Sequence, residues 1–295
     1  MSTVAYPSRD AATPLAAPAP ASENPVFFTS GNRPLYAVHH SPRVLRRDAP
    51  VLVHCHSLGV EQLTVYRAEV LLARAAADLG FPVLRWHARG HGDSAGDFAD
   101  VTLESLTEDA LAAAAEARAR SGASRIVWLG VRFGSLVAAR AAQQAPGSAG
   151  LALWEPVHAG LDYFRAHLRG WLFSQVAAGR RPGATADQLL EGVLLDGRVD
   201  VHGYYLHRAI FESARGESLP ARLEAWSGPT LIAQIQARPR LSPANEALAT
   251  ALRQRGASVT TLAVAEEPGW QFMANPAWEC PALVRKTVEW LDAVA

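Results

Sequence analysis

The feature that most constrains this chain is the stretch Arg125-Ile-Val-Trp-Leu-Gly-Val-Arg-Phe-Gly-Ser-Leu-Val-Ala-Ala-Arg140. An apolar run of strand character, Ile126 to Leu129, enters Gly130-Val131-Arg132-Phe133-Gly134, and an alanine-rich helical run leaves it. Glycines on either side of such a junction point to a sharp strand-to-helix turn, where close backbone approach leaves no room for a Cβ. A strand delivered straight into a helix is the repeating unit of a parallel sheet with helices packed on it.

The unit recurs along the chain. Val26-Phe27-Phe28 and Leu35-Tyr36-Ala37-Val38, separated by Ser30-Gly31-Asn32, read as a hairpin. Pro50 to Cys55 is a buried-strand run that breaks into the small-residue loop His56-Ser57-Leu58-Gly59. Glu61 to Leu79 follows with helical periodicity, and Gly80 stops it. Phe81 to Trp86 is the next strand, ending in the turn-rich loop His87-Ala-Arg-Gly-His-Gly-Asp-Ser94. A helix is expected from about Ser105 to Arg120, with Ser105 and Glu108 at capping-box spacing. Gly150 to Trp154 is another strand, closed by Glu155-Pro156. Thr230–Ile235, Pro243–Arg255, Val259–Val264 and Pro281–Val294 continue as strand, helix, strand and helix. The expected class is α/β, a mostly parallel central sheet with helices on both faces.

Residues 158–226 break that rhythm. Leu161, Phe164, Leu168, Trp171 and Leu172 fall at helical spacing, and Val199 to Leu206 alternates like a strand before more helix. This stretch is expected to be a cap inserted over the sheet edge, with the core formed by residues 26–157 and 227–295. Residues 1–25, rich in Ala, Pro and Ser, lack the apolar core of a secretory signal and are expected to be a disordered tail.

Bulk properties exclude several classes. The chain has 295 residues, 49% of them hydrophobic, enough for a sizeable core. A formal net charge of zero leaves no basic footprint for nucleic acid. No apolar run reaches the length of a membrane span. Cys55 and Cys280 lie far apart and outside any C-x-x-C pair, which fits a reduced, cytoplasmic protein. Lys286 is the only lysine among the 28 basic residues, a coding bias expected of a GC-rich bacterial genome.

With these elements in place, the chain resembles an α/β-hydrolase of the serine aminopeptidase type. The Gly90-His91-Gly92-Asp93-Ser94 loop after a strand, the strand-to-helix elbow behind it, and the interrupted second half carry the resemblance. More narrowly, it looks like the type 2 hydrolase-like proteins associated with the exosortase A system. The matching stretches are Gly92-Asp-Ser-Ala-Gly-Asp-Phe98, Gly130-Val-Arg-Phe-Gly134, Leu153-Trp-Glu-Pro-Val157 and Glu267-Pro-Gly-Trp270, with Pro281-Ala-Leu283 behind it. Members of that group also tend to carry arginine at the elbow. The resemblance implies an α/β-hydrolase fold with a helical cap. It implies no particular reaction.

An α/β-hydrolase uses Ser, Asp or Glu, and His in that chain order, with the serine in the middle of G-x-S-x-G. Here that position is Arg132, which is permanently charged and not nucleophilic. All ten histidines lie at or before His207, so none follows the last strand. Gln236 to Ser242, after the strand 230–235, contains no carboxylate. The standard triad is therefore expected to be missing. A substitute is open: Ser57 with His56 or His87 and Glu155, all at strand ends on one side of the sheet. Ser135, one turn into the helix, reads as a small packing residue. Cys55 alternates away from His54 and His56 and reads as a buried thiol. His54, His56, His87 and His91 lack matching carboxylate or cysteine spacing, so no metal and no cofactor are expected.

Arg132 needs an anionic partner at a helix N-terminus, and Glu155 is the expected one. The pair would either plug the site or leave the guanidinium to grip a carboxylate or phosphate. Arg132, Phe133, Ser57, Leu58, Glu155 and Trp270 are the candidate ligand-binding residues, with the Trp270 indole filling the space a histidine loop would take. Two functions remain open: a non-catalytic protein that binds a small-molecule or acyl ligand or a protein partner, and a hydrolase or acyl-transfer enzyme using non-standard residues. A lyase or isomerase is a third.

Overall fold

The structure, a computed structural model, describes residues 21–201, 203–270 and 278–295. Its strands are β1 (Ser22–Ser30), β2 (Arg33–Ser41), β3 (Val51–Cys55), β4 (Val83–Trp86), β5 (Ile126–Val131), β6 (Ser148–Trp154), β7 (Arg198–Val201), β8 (Tyr204–His207), β9 (Thr230–Gln236) and β10 (Val259–Ala265). Its helices are α1 (Val60–Asp78), α2 (Leu103–Ser121), α3 (Gly134–Gln144), α4 (Gly160–Ala177), α5 (Ala186–Asp196), α6 (Arg208–Ala214), α7 (Leu219–Arg222), α8 (Pro243–Gln254) and α9 (Pro281–Val294). Eight strands form one sheet in the order β1-β2-β4-β3-β5-β6-β9-β10. β1 and β2 pair antiparallel, as do β2 and β4, and the remaining neighbours are parallel.

Strand alternation builds two cores, one on each face. Along β5, Ile126 and Trp128 pack with α2 and α3, while Val127, Leu129 and Val131 pack with α1 and α9. β6 repeats this, with Leu151 and Leu153 on one side and Ala152 and Trp154 on the other. Such central strands are apolar throughout because both faces are covered. Each fully buried leucine, such as Leu129, contributes about 1.5–3 kcal/mol. The tryptophans of β5 and β6 also satisfy their indole N–H groups. Trp128 donates to Ser148 Oγ and Trp154 to Thr287 Oγ1, both at 2.9 Å.

Between β6 and β9 the chain leaves the sheet for α4, α5, the β7–β8 hairpin, α6 and α7. α4 is seated over the strand-to-helix turn by rings: Phe133 meets Tyr163 at 5.1 Å and Phe164 at 5.9 Å. Gly160 lets α4 approach the end of α6, since a Cβ there would collide with the Ala214 carbonyl.

Two local expectations are corrected. Residues 1–20 of the expected tail lie outside the described residues, but Ser22 to Pro25 belong to β1, paired with Val38 to Ser41. Their polar, exposed side chains hid an edge strand held mainly by backbone bonds. α2 starts earlier than expected, at Leu103. Its capping box joins Thr102 and Ser105, not Ser105 and Glu108.

Candidate functional site

The turn between β5 and α3 has the geometry its glycines imply. Arg132 sits at φ 51°, a left-handed conformation that is costly for a residue with a Cβ. A Cβ on Gly130 would lie 2.6 Å from Ser135 Cα, and one on Gly134 would run into the Cys55 carbonyl oxygen. The turn is fixed from outside: the Arg132 N–H donates to Trp154 O at 2.9 Å, and Ser135 Oγ accepts from the Val157 N–H at 3.0 Å. Ser135 is thus a buried packing residue bonded to the loop after β6.

The Arg132 side chain turns back onto Glu61, in the first turn of α1. Nη2 donates to Glu61 Oε1 at 3.1 Å. Glu61 is almost fully buried, and its other oxygen accepts from Ser57 Oγ at 2.5 Å and Tyr163 Oη at 3.1 Å. His167 Nδ1 lies 3.7 Å from Oε1. The guanidinium carbon stands 5.0 Å from the Trp270 ring centre and 5.8 Å from that of Tyr163. The expected partner, Glu155, is not the one found. Its Oε2 accepts the Ile235 N–H at 2.8 Å, and it acts on Arg132 only through its charge.

The electrostatics follow from this packing. Burial pushes the Glu61 carboxyl up, but the Arg132 charge, His167 and the Ser57 hydrogen bond more than offset it and hold it down at about 2. Burial opposes the Arg132 charge as well, and Glu61 more than offsets it, so the guanidinium is held above its ordinary value. Glu155 is pushed up by burial, against the pull of the Ile235 N–H and Arg132. A carboxylate at α1's N-terminus is favoured by the helix dipole, whereas a guanidinium before α3 is not. Glu61 therefore compensates both helix ends.

This arrangement does not activate Ser57. Its hydroxyl is given to Glu61, and a carboxylate titrating at about 2 is a poor proton acceptor at neutral pH. His56 turns to a different carboxylate of α1, with Nδ1 2.5 Å from Glu69 Oε2. His87 stands behind His56, with ring centres 6.4 Å apart. The expected grouping of Ser57, His56 or His87, and Glu155 is thus not assembled: each side chain faces a different neighbour. Phe133, expected to touch a ligand, is fully buried under Tyr163 and Phe164, and Leu58 and Ser57 are buried too. Cys55 is buried, and burial raises its thiol well above the ordinary range. Among the described residues, no group of three His, Cys, Asp or Glu side chains is arranged to hold a metal ion, and no helix is long and apolar enough to cross a membrane.

A cleft of about 660 Å³ opens beside the turn, between the loop after β4 and the β7–β8 hairpin. Tyr66, His87, His91, Tyr204 and Tyr205 are among its walls, and Arg132 is not. Gln62 faces the cleft while its neighbour Glu61 faces the turn.

Residues 51–188 match the serine aminopeptidase family, S33. No curated protein matches the chain in sequence. Among solved structures, the chain is similar to Est1E from Butyrivibrio proteoclasticus with bound ferulic acid. The TM-score is 0.65 at 16% identity, covering 91% of this chain and 98% of that one. It is similar to the esterase Pf2001 from Pyrococcus furiosus (TM-score 0.65, 14% identity, 92% and 91% covered). The proline iminopeptidase of Mycobacterium smegmatis is a further likeness (TM-score 0.58, 16% identity, 92% and 98% covered). This is an α/β-hydrolase fold.

In α/β-hydrolase terms, Arg132 occupies the apex of the nucleophile elbow. The elbow is legible from Gly130 and Gly134. Glu61 is not, because an acid in a first helical turn is already explained by the helix dipole. The one available signal is its place immediately after the β3 loop, at the same sheet end as the elbow. Of the stretch after β10, Trp270 is described and stacks on the guanidinium, while residues 271–277 lie outside the described residues.

Proposed function

We propose that this α/β-hydrolase-fold protein is non-catalytic, a pseudohydrolase that binds a small-molecule ligand or a protein partner. The observation that carries this reading is the buried pairing of Arg132 with Glu61, which occupies the elbow and takes up the nearest hydroxyl, that of Ser57. The stretch between β6 and β9 acts as a cap, with its Tyr163, together with Trp270 after β10, closing over the pair. The resemblance to exosortase A-associated hydrolase-like proteins supports a place in the bacterial cytoplasm beside polysaccharide or surface-protein export.

A second reading keeps catalysis, as a hydrolase or acyl-transfer enzyme on an ester, thioester or amide. It draws on His56, whose Nδ1 is held by the buried Glu69 and whose Nε2 has no hydrogen-bond partner among the described residues. A histidine oriented by a carboxylate is the base half of a triad. Its missing half is a nucleophile in reach.

Fluorophosphonate labelling, with turnover of p-nitrophenyl acyl esters of increasing chain length, separates the two. Wild type, Ser57→Ala and Arg132→Ala are expected to show neither labelling nor turnover. Labelling that disappears in Ser57→Ala would overturn the non-catalytic reading and make Ser57 the nucleophile.

A further inference from the structure

We propose that the cleft between the loop after β4 and the β7–β8 hairpin binds an uncharged, polyhydroxylated ring ligand, a saccharide in chemical class, against the exposed tyrosines Tyr204 and Tyr205 that line it. This rests on the binding role proposed for the protein and names the ligand.

Size sets the first limit. A volume of about 660 Å³ lies within the range of small-molecule sites, roughly 300–1,000 Å³, and Arg132 and Glu61 take no part in its walls. The cleft also carries exposed aromatic surface. Tyr204 and Tyr205 are 40% and 39% exposed on a short hairpin, and the Arg198 guanidinium covers one face of the Tyr205 ring at 4.2 Å. Aromatic side chains with a polar tip offer a flat apolar face together with a hydroxyl.

Charge narrows the class. Asp97 and Arg198 supply one charge of each sign, and the Asp97 carboxylate already accepts the Ala99 N–H. The three cleft histidines are kept uncharged by burial: His87 is pushed down to about 4, and His91 and His207 are also lowered. An anionic ligand would find one guanidinium opposite a carboxylate. An acyl chain would cover imidazoles and leave them unpaired, at a cost.

Hydrogen-bonding capacity points the same way. His91 Nδ1 lies 3.0 Å from the Arg89 carbonyl, which can only accept, so the proton is on Nδ1 and Nε2 is left as an acceptor. The ring is held edge-on to Phe98, with centroids 4.7 Å apart. A sugar ring matches these surfaces, with C–H faces for the tyrosines and hydroxyls for the imidazoles.

The test is isothermal titration of the full chain with cellotetraose, maltotetraose, tetragalacturonate and octanoate. A neutral tetrasaccharide is expected to bind in preference to both anions. Tyr205→Ala should weaken it by roughly tenfold, the loss expected for one aromatic contact. His91→Phe should weaken it as well, and Tyr205→Phe should retain most of it. Melting curves establish that each variant is folded. Binding of neither neutral saccharide, a preference for tetragalacturonate or octanoate, or affinity unchanged in Tyr205→Ala would overturn the proposal. Ester turnover would break the non-catalytic reading and leave the saccharide result standing. A silent elbow with no saccharide bound would break this inference alone.

Discussion

The elbow and the cleft lie side by side at one end of the sheet, and consecutive residues of α1 serve them, yet they are built on opposite principles. At the elbow the polar side chains are buried against one another: Arg132 on Glu61, Ser57 and Tyr163 on the same carboxylate. At the cleft the polar groups face open volume, and the tyrosines stay two-fifths exposed. The first region has turned its polar groups on itself, and the second leaves a volume beside its own. One end of the sheet thus holds both a turn closed on its own side chains and an open cleft.

The contrast breaks first at Glu61. Glu61→Gln leaves Arg132 buried without its hydrogen-bonded counter-charge and is expected to cost about 3–5 kcal/mol, read from chemical denaturation. Adding Arg132→Met should recover much of that loss, because an uncharged pair of similar size packs without desolvation. Leu63→Ser, on an exposed cleft residue one turn-step away, should stay within about 0.5 kcal/mol. A Glu61→Gln variant as stable as wild type would mean that the pair does not hold the elbow.

Glycines give the next test. Gly134→Ala puts a methyl into the Cys55 carbonyl and is expected to cost about 1–3 kcal/mol or more. Gly203→Ala, in the β7–β8 turn, meets nothing within 4 Å, so only the strain of φ 81° remains, about 1 kcal/mol. Equal costs would show that the strand end at Cys55 yields to the added methyl, and that close approach does not require the elbow glycine.

Acid should open the two regions in sequence. Burial lowers His87 from 6.5 to about 4, so the unfolded chain takes up the proton first and stability falls as pH drops from 6.5 towards 4. His40, buried at about 4 as well, adds to the same window. Glu61 is lowered from 4.5 to about 2, so its contribution is complete above 4.5 and is lost as pH falls towards 2. Denaturation midpoints measured against pH should lose part of the upper slope in His87→Gln and part of the lower slope in Glu61→Gln. An unchanged upper slope in His87→Gln would detach that window from the cleft.

The same contrast governs how much of the molecule is legible in its sequence. Backbone demands leave local marks, so Gly130, Gly134 and the alternating strands disclose the elbow and the parallel sheet. Side-chain partnerships leave none when they join distant segments. Arg132 calls for an anion, and Glu155 is the candidate at the next strand end, but its carboxylate is already claimed by the Ile235 N–H. Glu61 and Glu69 sit within a helix whose periodicity explains them without a role. The cleft is less legible still. Its walls come from α1, the loop after β4 and the β7–β8 hairpin, and no local pattern records that these meet.

The smallest expected effect is also the sharpest test of the elbow. Arg132→Ser restores the G-x-S-x-G spelling in the turn that holds φ 51°, and it is expected to yield no ester turnover and no fluorophosphonate labelling. A serine there would face Glu61, which loses the Arg132 charge that holds its carboxyl down, so burial pushes that carboxyl back up towards its protonated form. The nearest imidazole of that cluster, His167, lies beside Glu61 on α4, and no histidine follows residue 207 to supply the usual base. Geometry without a matched base leaves the hydroxyl at its ordinary reactivity. Turnover in Arg132→Ser would mean that His167 or the Glu69-oriented His56 can serve as that base, and that the arginine alone silences the elbow.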